Sequence, residues 1–379
     1  MVIAIAVSVA VLVLIVLVIV IIFVRKRRRQ AKLEVIQLQE LQNQRQNHWL
    51  MTWPTYDEFQ FCKDRLKIEE ELGEGYFGKA YFAWATGIVE GEAKTRVAVK
   101  TMKRGSAQEA AEDFRKEMEI MMDFDHANII RLLGICTRDE PLYLITELMK
   151  HGDLKAFLRK ARPSETGPRS LLSIAQLVDI AAQAAAGVAY LASRRFVHHD
   201  IAARNCLVGE KNDKLSVKVS DFGMARDVCV EEEYYRHKGG TMPIRWMAPE
   251  AITDGKYTVE SDVWSLGVLL WEIFALGYRP YFSKSNEQVI GGILEGSLSL
   301  ECPALCPRSV HLFMLRCWER DPSDRIKSGD VANALQAMLY MGGSFRYVSP
   351  IESAPVSGVT RFQRSGGHHF FAPKARKIF

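Results

Sequence analysis

The spacing of apolar residues divides the chain into regions of different period. Val2 to Val24 is apolar throughout except for Ser8. As a helix rising about 1.5 Å per residue, this run reaches about 35 Å, enough to cross a hydrocarbon core of about 30 Å. The basic run Arg25-Lys26-Arg27-Arg28-Arg29 follows at once. Such residues stay on the cytoplasmic side, so the pattern predicts a membrane-spanning helix over 1–24 with all that follows in the cytosol. A cleaved signal peptide would need a basic start, a shorter apolar stretch and a small-residue cleavage site, and the sequence has none of them. The basic run would also attract anionic headgroups of the bilayer, by about 1 kcal/mol per charge. Whether an ectodomain precedes this anchor stays open.

Residues 30–47 are rich in Gln, with Leu33, Ile36 and Leu41 at loose helical spacing, and 25–63 read as a juxtamembrane segment. Strand-like stretches follow, among them Leu66-Lys67-Ile68 and Arg96-Val97-Ala98-Val99-Lys100. Later segments turn helical. Ser173 and Gln176 form a capping box, and Ile174, Leu177, Val178, Ala181, Ala182, Ala185 and Val188 fall on one side of the helix behind it. Strands first and helices after predict an α+β unit of two lobes over about 64–340, β-rich to about 148 and helical from about 149. Arg162 to Ser170 reads as a surface loop, and 341–379, rich in Gly, Ser and Pro, as a disordered tail.

Composition changes this picture little. With 379 residues, about half hydrophobic and a quarter charged, the chain can bury a sizeable core. Its net charge of +5 is concentrated in the one basic run, which points to a membrane rather than to nucleic acid. The seven cysteines are scattered without a CxxC pair and read as free thiols in a reducing compartment.

Gly73-Glu74-Gly75-Tyr76-Phe77-Gly78 fits GxGxxG. A dinucleotide site needs a helix straight after the glycines, but Lys79 to Trp84 reads as a strand. A strand–glycine–strand hairpin suits a lid whose N–H groups approach phosphate oxygens, although this motif alone fits a plain hairpin turn better. Lys100 ends a buried strand, and burial requires a partner for its charge. Nucleotide phosphates and Glu117, on a helix predicted over Ala111–Met122, are two; snorkelling to solvent is the alternative.

His198-His199-Asp200-Ile201-Ala202-Ala203-Arg204-Asn205 is followed, sixteen residues after Asn205, by Asp221-Phe222-Gly223. Ala248-Pro249-Glu250 and Ser261-Asp262-Val263-Trp264-Ser265 complete six motifs in order. By these motifs residues 66–338 resemble the protein kinase family. The resemblance implies a bilobal kinase fold, ATP and Mg²⁺ as cofactors, and roles for particular residues. Asp200 matches the catalytic aspartate that accepts the hydroxyl proton. Asn205 and Asp221 match the Mg²⁺ ligands, and Lys100 and Glu117 the ion pair of the active state. Thr146 matches the residue at the back of the adenine pocket, Glu147 and Met149 the hinge, and Leu72, Ala98 and Leu207 the apolar walls. Met121, Leu132, His198 and Phe222 match an apolar spine, and Glu250, Arg325 and Asp262 architectural ties.

Two features resemble tyrosine kinases. Ala202 stands where serine/threonine kinases place lysine, with Arg204 approaching the aspartate from the other side. Met242-Pro243-Ile244-Arg245-Trp246-Met247 resembles a shelf for a phenol ring. Tyr234 and Tyr235 resemble the paired autophosphorylation sites of receptor kinases. His126 to Gly134 and Arg195 to His198 are similar to the neurotrophin, discoidin and Wnt-associated orphan groups. The resemblance implies a single-pass receptor-type tyrosine kinase of the plasma membrane. It would act on protein tyrosines, work in a homodimer or receptor complex, and recruit phosphotyrosine-binding adaptors at residues such as Tyr56, Tyr340 and Tyr347. A membrane scaffold without catalysis and a serine/threonine kinase are the competing readings.

The chain departs from the family pattern twice. His199 replaces an arginine that grips a phosphorylated activation segment. An imidazole, mostly neutral at about pH 7, offers one donor where arginine offers a charged fork. Ala80 replaces a valine over the adenine, a loss of up to about 1.6 kcal/mol of nucleotide binding if both methyls were buried.

Overall fold

The computed structural model describes residues 56–74, 78–102, 108–163, 172–224, 226–227 and 242–340. The expectations for the membrane span 1–24, residues 25–55, Gly75, Tyr76, Phe77, Tyr234, Tyr235, Tyr347 and the tail 341–379 lie outside them.

After a short helix α1 (Tyr56–Phe59), strands β1 (Leu66–Glu74), β2 (Gly78–Thr86) and β3 (Lys94–Met102) form an antiparallel meander. Helix α2 (Gln108–Met122) intervenes before β4 (Leu132–Cys136) and β5 (Tyr143–Glu147), giving a sheet of order β1-β2-β3-β5-β4. Helix α2 starts three residues before the expected Ala111, because Gln108, Glu109 and Ala110 are all good helix formers.

Strand alternation gives this sheet two different faces. Val97 and Val99 of β3 are fully buried with Ala83, Ala85, Cys136 and Ile145 in a dry cluster. Ala98 and Lys100 point the other way, opposite Phe82 and Ala80 on β2 and opposite Thr146 and Leu144 on β5. Opposed residues share a face, so Ala80, Ala98, Lys100 and Thr146 line one surface.

The second lobe follows in chain order. It comprises β6 (Gly152–Asp153), α3 (Leu154–Lys160), α4 (Ile174–Ser193), β7 (Phe196–Val197), β8 (Cys206–Lys211), β9 (Lys214–Val219) and β10 (Arg226–Asp227). Helices α5 (Pro249–Thr253), α6 (Val259–Phe274), α7 (Asn286–Glu295), α8 (Arg308–Cys317) and α9 (Ser328–Tyr340) complete it. The α4 capping box forms as expected: Ser173 Oγ accepts from the Gln176 N–H and Gln176 Oε1 from the Ser173 N–H. The apolar side expected for α4 forms and is wider than the residues named. Ile180, Ala184 and Leu191 are buried as well, because α6, α9 and β9 all pack on it. Among the described residues α4 is the one helix long and apolar enough to cross a bilayer, but it lies inside the lobe as its core helix.

The segment after α2 ties the two lobes together. Val219 N–H donates to Asn128 O and Ile130 N–H to Val219 O, each at 2.9 Å, while Asn128 Nδ2 donates to Val217 O at 3.0 Å.

Candidate active site

The site lies where the open face of the first sheet meets the loop before β8. Lys100 Nζ donates to both Glu117 oxygens, at 2.6 and 2.8 Å, and lies 3.4 Å from Asp221 Oδ1. Glu117 comes from α2 and is almost fully buried. Burial works against the Lys100 charge, but the two carboxylates outweigh it and hold its pKa above the ordinary value. Asp221 is half exposed, yet crowding by protein atoms still opposes its ionisation; Lys100, His198 and the Gly223 N–H more than offset that, so its carboxylate titrates below the usual range. Asp221 adopts φ +63°.

The loop His198–Asn205 is clamped from beneath. Asp262, near the start of α6, accepts from His198 N–H at 2.6 Å and His199 N–H at 3.1 Å. Glu272, near the end of α6, accepts from Ala203 N–H at 2.9 Å and Trp246 Nε1 at 2.8 Å. Above these clamps, Asp200 accepts from Arg204 at Oδ1 and from Asn205 Nδ2 at Oδ2, the latter at 2.7 Å. The Arg204 guanidinium also lies over the Trp246 ring, 4.3 Å from its centroid. Ser220 N–H and Oγ both bond Asn205 O, at 2.8 and 2.9 Å, which sets Asp221 beside Asn205.

The family model for protein tyrosine and serine/threonine kinases matches residues 66–335. The chain belongs to that family. It is 43% identical over 292 residues to the tyrosine-protein kinase transforming protein ros of UR2 avian sarcoma virus, covering 76% of this chain and 72% of that protein. It is 45% identical over 280 residues to the BDNF/NT-3 growth factors receptor of Gallus gallus, covering 72% of this chain and 34% of the receptor. The insulin receptor of Xenopus laevis is 43% identical over 272 residues, 71% of this chain and 20% of that receptor. The chain thus spans most of the viral kinase but only about a third of one of these receptors and a fifth of the other. The expected likeness to receptor tyrosine kinases is borne out, while nearly equal identities single out no subgroup.

Within this kinase, Thr146 is buried opposite Ala98 at the back of the open face. Leu72 is half exposed on β1, and Leu207 and Ala80 are partly buried. The Glu147 carboxylate bonds Lys218 Nζ at 2.7 Å and Arg131 N–H at 2.8 Å, and Met149 O accepts from Gly152 N–H at 3.1 Å. Gly73 and Glu74 end β1 and Gly78 opens β2. A Cβ at Gly78 would lie 1.8 Å from Thr101 O, so this glycine is required for pairing with β3, whereas a Cβ at Gly73 would meet nothing within 4 Å. Met121, Leu132, His198 and Phe222 are all buried, with the His198 and Phe222 rings 5.2 Å apart. Arg325 pairs with Glu250 through two bonds, at 2.6 and 2.9 Å. His199, at φ +70°, stacks on Tyr257 with ring centroids 4.3 Å apart.

Sequence reasoning missed Glu272 and Ser220. The available signal for Glu272 was a lone carboxylate in the apolar stretch Leu266–Phe274, since a fully buried carboxylate needs donors.

Among the described residues, no three His, Cys, Asp or Glu side chains gather into a metal site. Mg²⁺ keeps waters and phosphate oxygens around one or two protein ligands, so the fit rests on Asn205 and Asp221. Asn205 commits its Nδ2 to Asp200, which leaves its amide oxygen, a hard donor beside the Asp221 carboxylate.

Proposed function

We propose that this chain is a receptor-type protein tyrosine kinase that transfers the ATP γ-phosphate to tyrosine hydroxyls. The observation that carries the tyrosine reading is the surroundings of Asp200. Ala202 is fully buried in the cluster of Trp246, Met247 and Ala248, and the cation on Asp200 comes instead from Arg204, which lies over Trp246. A phenol is longer than a serine hydroxymethyl group, and a site whose near wall carries no lysine leaves room for it.

Asp200, oriented by Arg204 and Asn205, accepts the phenolic proton. Lys100, kept charged by Glu117 and Asp221, holds the nucleotide phosphates. Ala80, Ala98, Leu72 and Leu207 wall the adenine, with Thr146 behind it and the backbone of Glu147 and Met149 at its edge. The Gly73–Gly78 segment covers the phosphates. Asn205 and Asp221 would hold Mg²⁺, whose charge offsets that developing on the phosphate oxygens. The same reading gives autophosphorylation of Tyr234 and Tyr235, a single span over 1–24 in the plasma membrane, a cytoplasmic kinase unit over 64–340, activation in a dimer or receptor complex, and adaptor recruitment.

The test is transfer of radiolabel from ATP to a peptide whose only hydroxyl residue is tyrosine. Labelling that drops by about 10²–10⁴-fold in Asp200→Asn is expected. Nucleotide binding with no labelling would leave the scaffold reading, and labelling of serine peptides alone would leave the serine/threonine one.

A further inference from the structure

The segment between α7 and α8 carries two cysteines, Cys302 and Cys306, that the proposed chemistry does not use. Cys302 is exposed and Cys306 partly so. Cys306 N–H donates to Pro303 O at 2.9 Å, a turn that folds the two residues together. Cys302 Sγ lies 3.9 Å from Cys306 O. A disulfide needs Cα atoms within about 7 Å and Cβ atoms facing each other, and a sulfur already lying against the backbone of the other cysteine across a turn needs little movement to meet that.

We propose that Cys302 and Cys306 form a reversibly oxidisable dithiol that closes to an intramolecular disulfide under a peroxide oxidant. The exposed Cys302 thiolate attacks one peroxide oxygen. An S–O bond forms, the O–O bond breaks, and the departing hydroxide takes a proton and leaves as water. Cys306 then attacks the Cys302 sulfur, the S–S bond forms, the S–O bond breaks, and a second water departs with the Cys306 proton. Two electrons pass from the dithiol to the peroxide. Burial raises the Cys306 thiol above its ordinary range, which suits the resolving partner rather than the first nucleophile. The consequence reaches the substrate shelf. Leu300 packs with Ala202, Trp246 and Met247, and Glu301 O accepts from Trp271 Nε1 at 2.8 Å, so a tightened 302–306 loop pulls on the packing beneath the shelf.

The test uses the full chain in detergent, treated with hydrogen peroxide, with remaining thiols alkylated before tryptic digestion. Peptide 285–308 carries these two cysteines and no others. It should lose two hydrogen masses and take no alkyl group, and dithiothreitol should restore both alkylation sites. In Cys306→Ser, or Cys306→Ala, Cys302 should instead proceed to sulfenic and higher acids. In Cys302→Ser, Cys306 should stay reduced. Wild-type protein in which oxidised Cys302 sits beside an alkylatable Cys306, or in which Cys302 bridges two chains, would overturn the proposal.

Discussion

The two lobes hold their polar site residues in opposite ways. In the first, Lys100 stands on one face of a sheet and is held by the side chain of a separate helix, α2. In the second, the loop bearing Asp200 and Asn205 is held by its backbone, through N–H groups of His198, His199 and Ala203 that end on two buried carboxylates of a single helix, α6. A side-chain ion pair between two elements can open without unfolding either. A backbone clamp from the core cannot. The difference assigns adjustability to the nucleotide side and fixed geometry to the proton acceptor.

The largest effect should come from the clamp. Asp262→Ala leaves the buried His198 N–H and the partly buried His199 N–H without their acceptor, at about 1–3 kcal/mol for the buried group and less for the other, so denaturant unfolding should show a loss of a few kcal/mol together with loss of peptide phosphorylation. Glu117→Gln removes the ion pair but leaves Lys100 with Asp221. Phosphorylation should fall steeply there too, with a smaller loss of stability than in Asp262→Ala. Equal losses of stability would break the contrast. Next in size is Gly78→Ala, whose new Cβ must push β2 from β3, at about 1–3 kcal/mol in the same unfolding measurement. Gly73→Ala, with open space around it, should change stability far less.

These contrasts also mark what the sequence made legible. The β3 stretch Arg96–Lys100 was legible as a strand ending in a lysine that needs a partner, while its two faces, with Val97 and Val99 inward and Ala98 and Lys100 outward, came from the pairing with β2 and β5. The six motifs placed Lys100, Glu117, Asp200, Asn205 and Asp221, and the structure brings these residues to one place. Glu272 showed locally only as a lone carboxylate in an apolar stretch; which groups it holds was hidden, because its donors lie 69 and 26 residues away. The reason for Gly78 was hidden likewise, since a phosphate-facing glycine and one pressed on a neighbouring strand look alike in sequence. The breadth of the buried side of α4 was underestimated because alanines satisfy both an apolar stripe and a close helix contact.

The clamp also carries a pH signature. Burial pushes Glu272 up from 4.5 to about 7, against the pull of Ala203 N–H and Trp246. Between those two values the folded protein keeps a proton that the unfolded chain releases, so stability falls as pH rises from about 4.5 to about 7 and levels off above. In Glu272→Gln the amide oxygen can accept from the same donors and nothing titrates. Its melting temperature should therefore gain on the wild type between about pH 5.5 and 7.5. A gap that stays constant would mean that Glu272 is ionised throughout.

The smallest expected effect concerns regulation. His199 is anchored to the clamp through its N–H, and its ring lies flat on Tyr257, which packs against the Trp246 cluster. That stack is worth about 1 kcal/mol and engages the ring face, and an imidazole lacks the fixed, charged fork by which an arginine grips a phosphorylated segment. The fixed geometry of the loop then comes from the core rather than from phosphate capture. Phosphatase treatment should therefore lower wild-type activity less than that of His199→Arg, whose charged fork can grip phosphate. Tyr257→Leu should make the wild-type loop more dependent on phosphorylation without creating a new phosphate contact. If treatment instead lowers wild type and His199→Arg equally and steeply, the clamp does not set the loop by itself, and the contrast between a fixed lobe and an adjustable one fails at this residue.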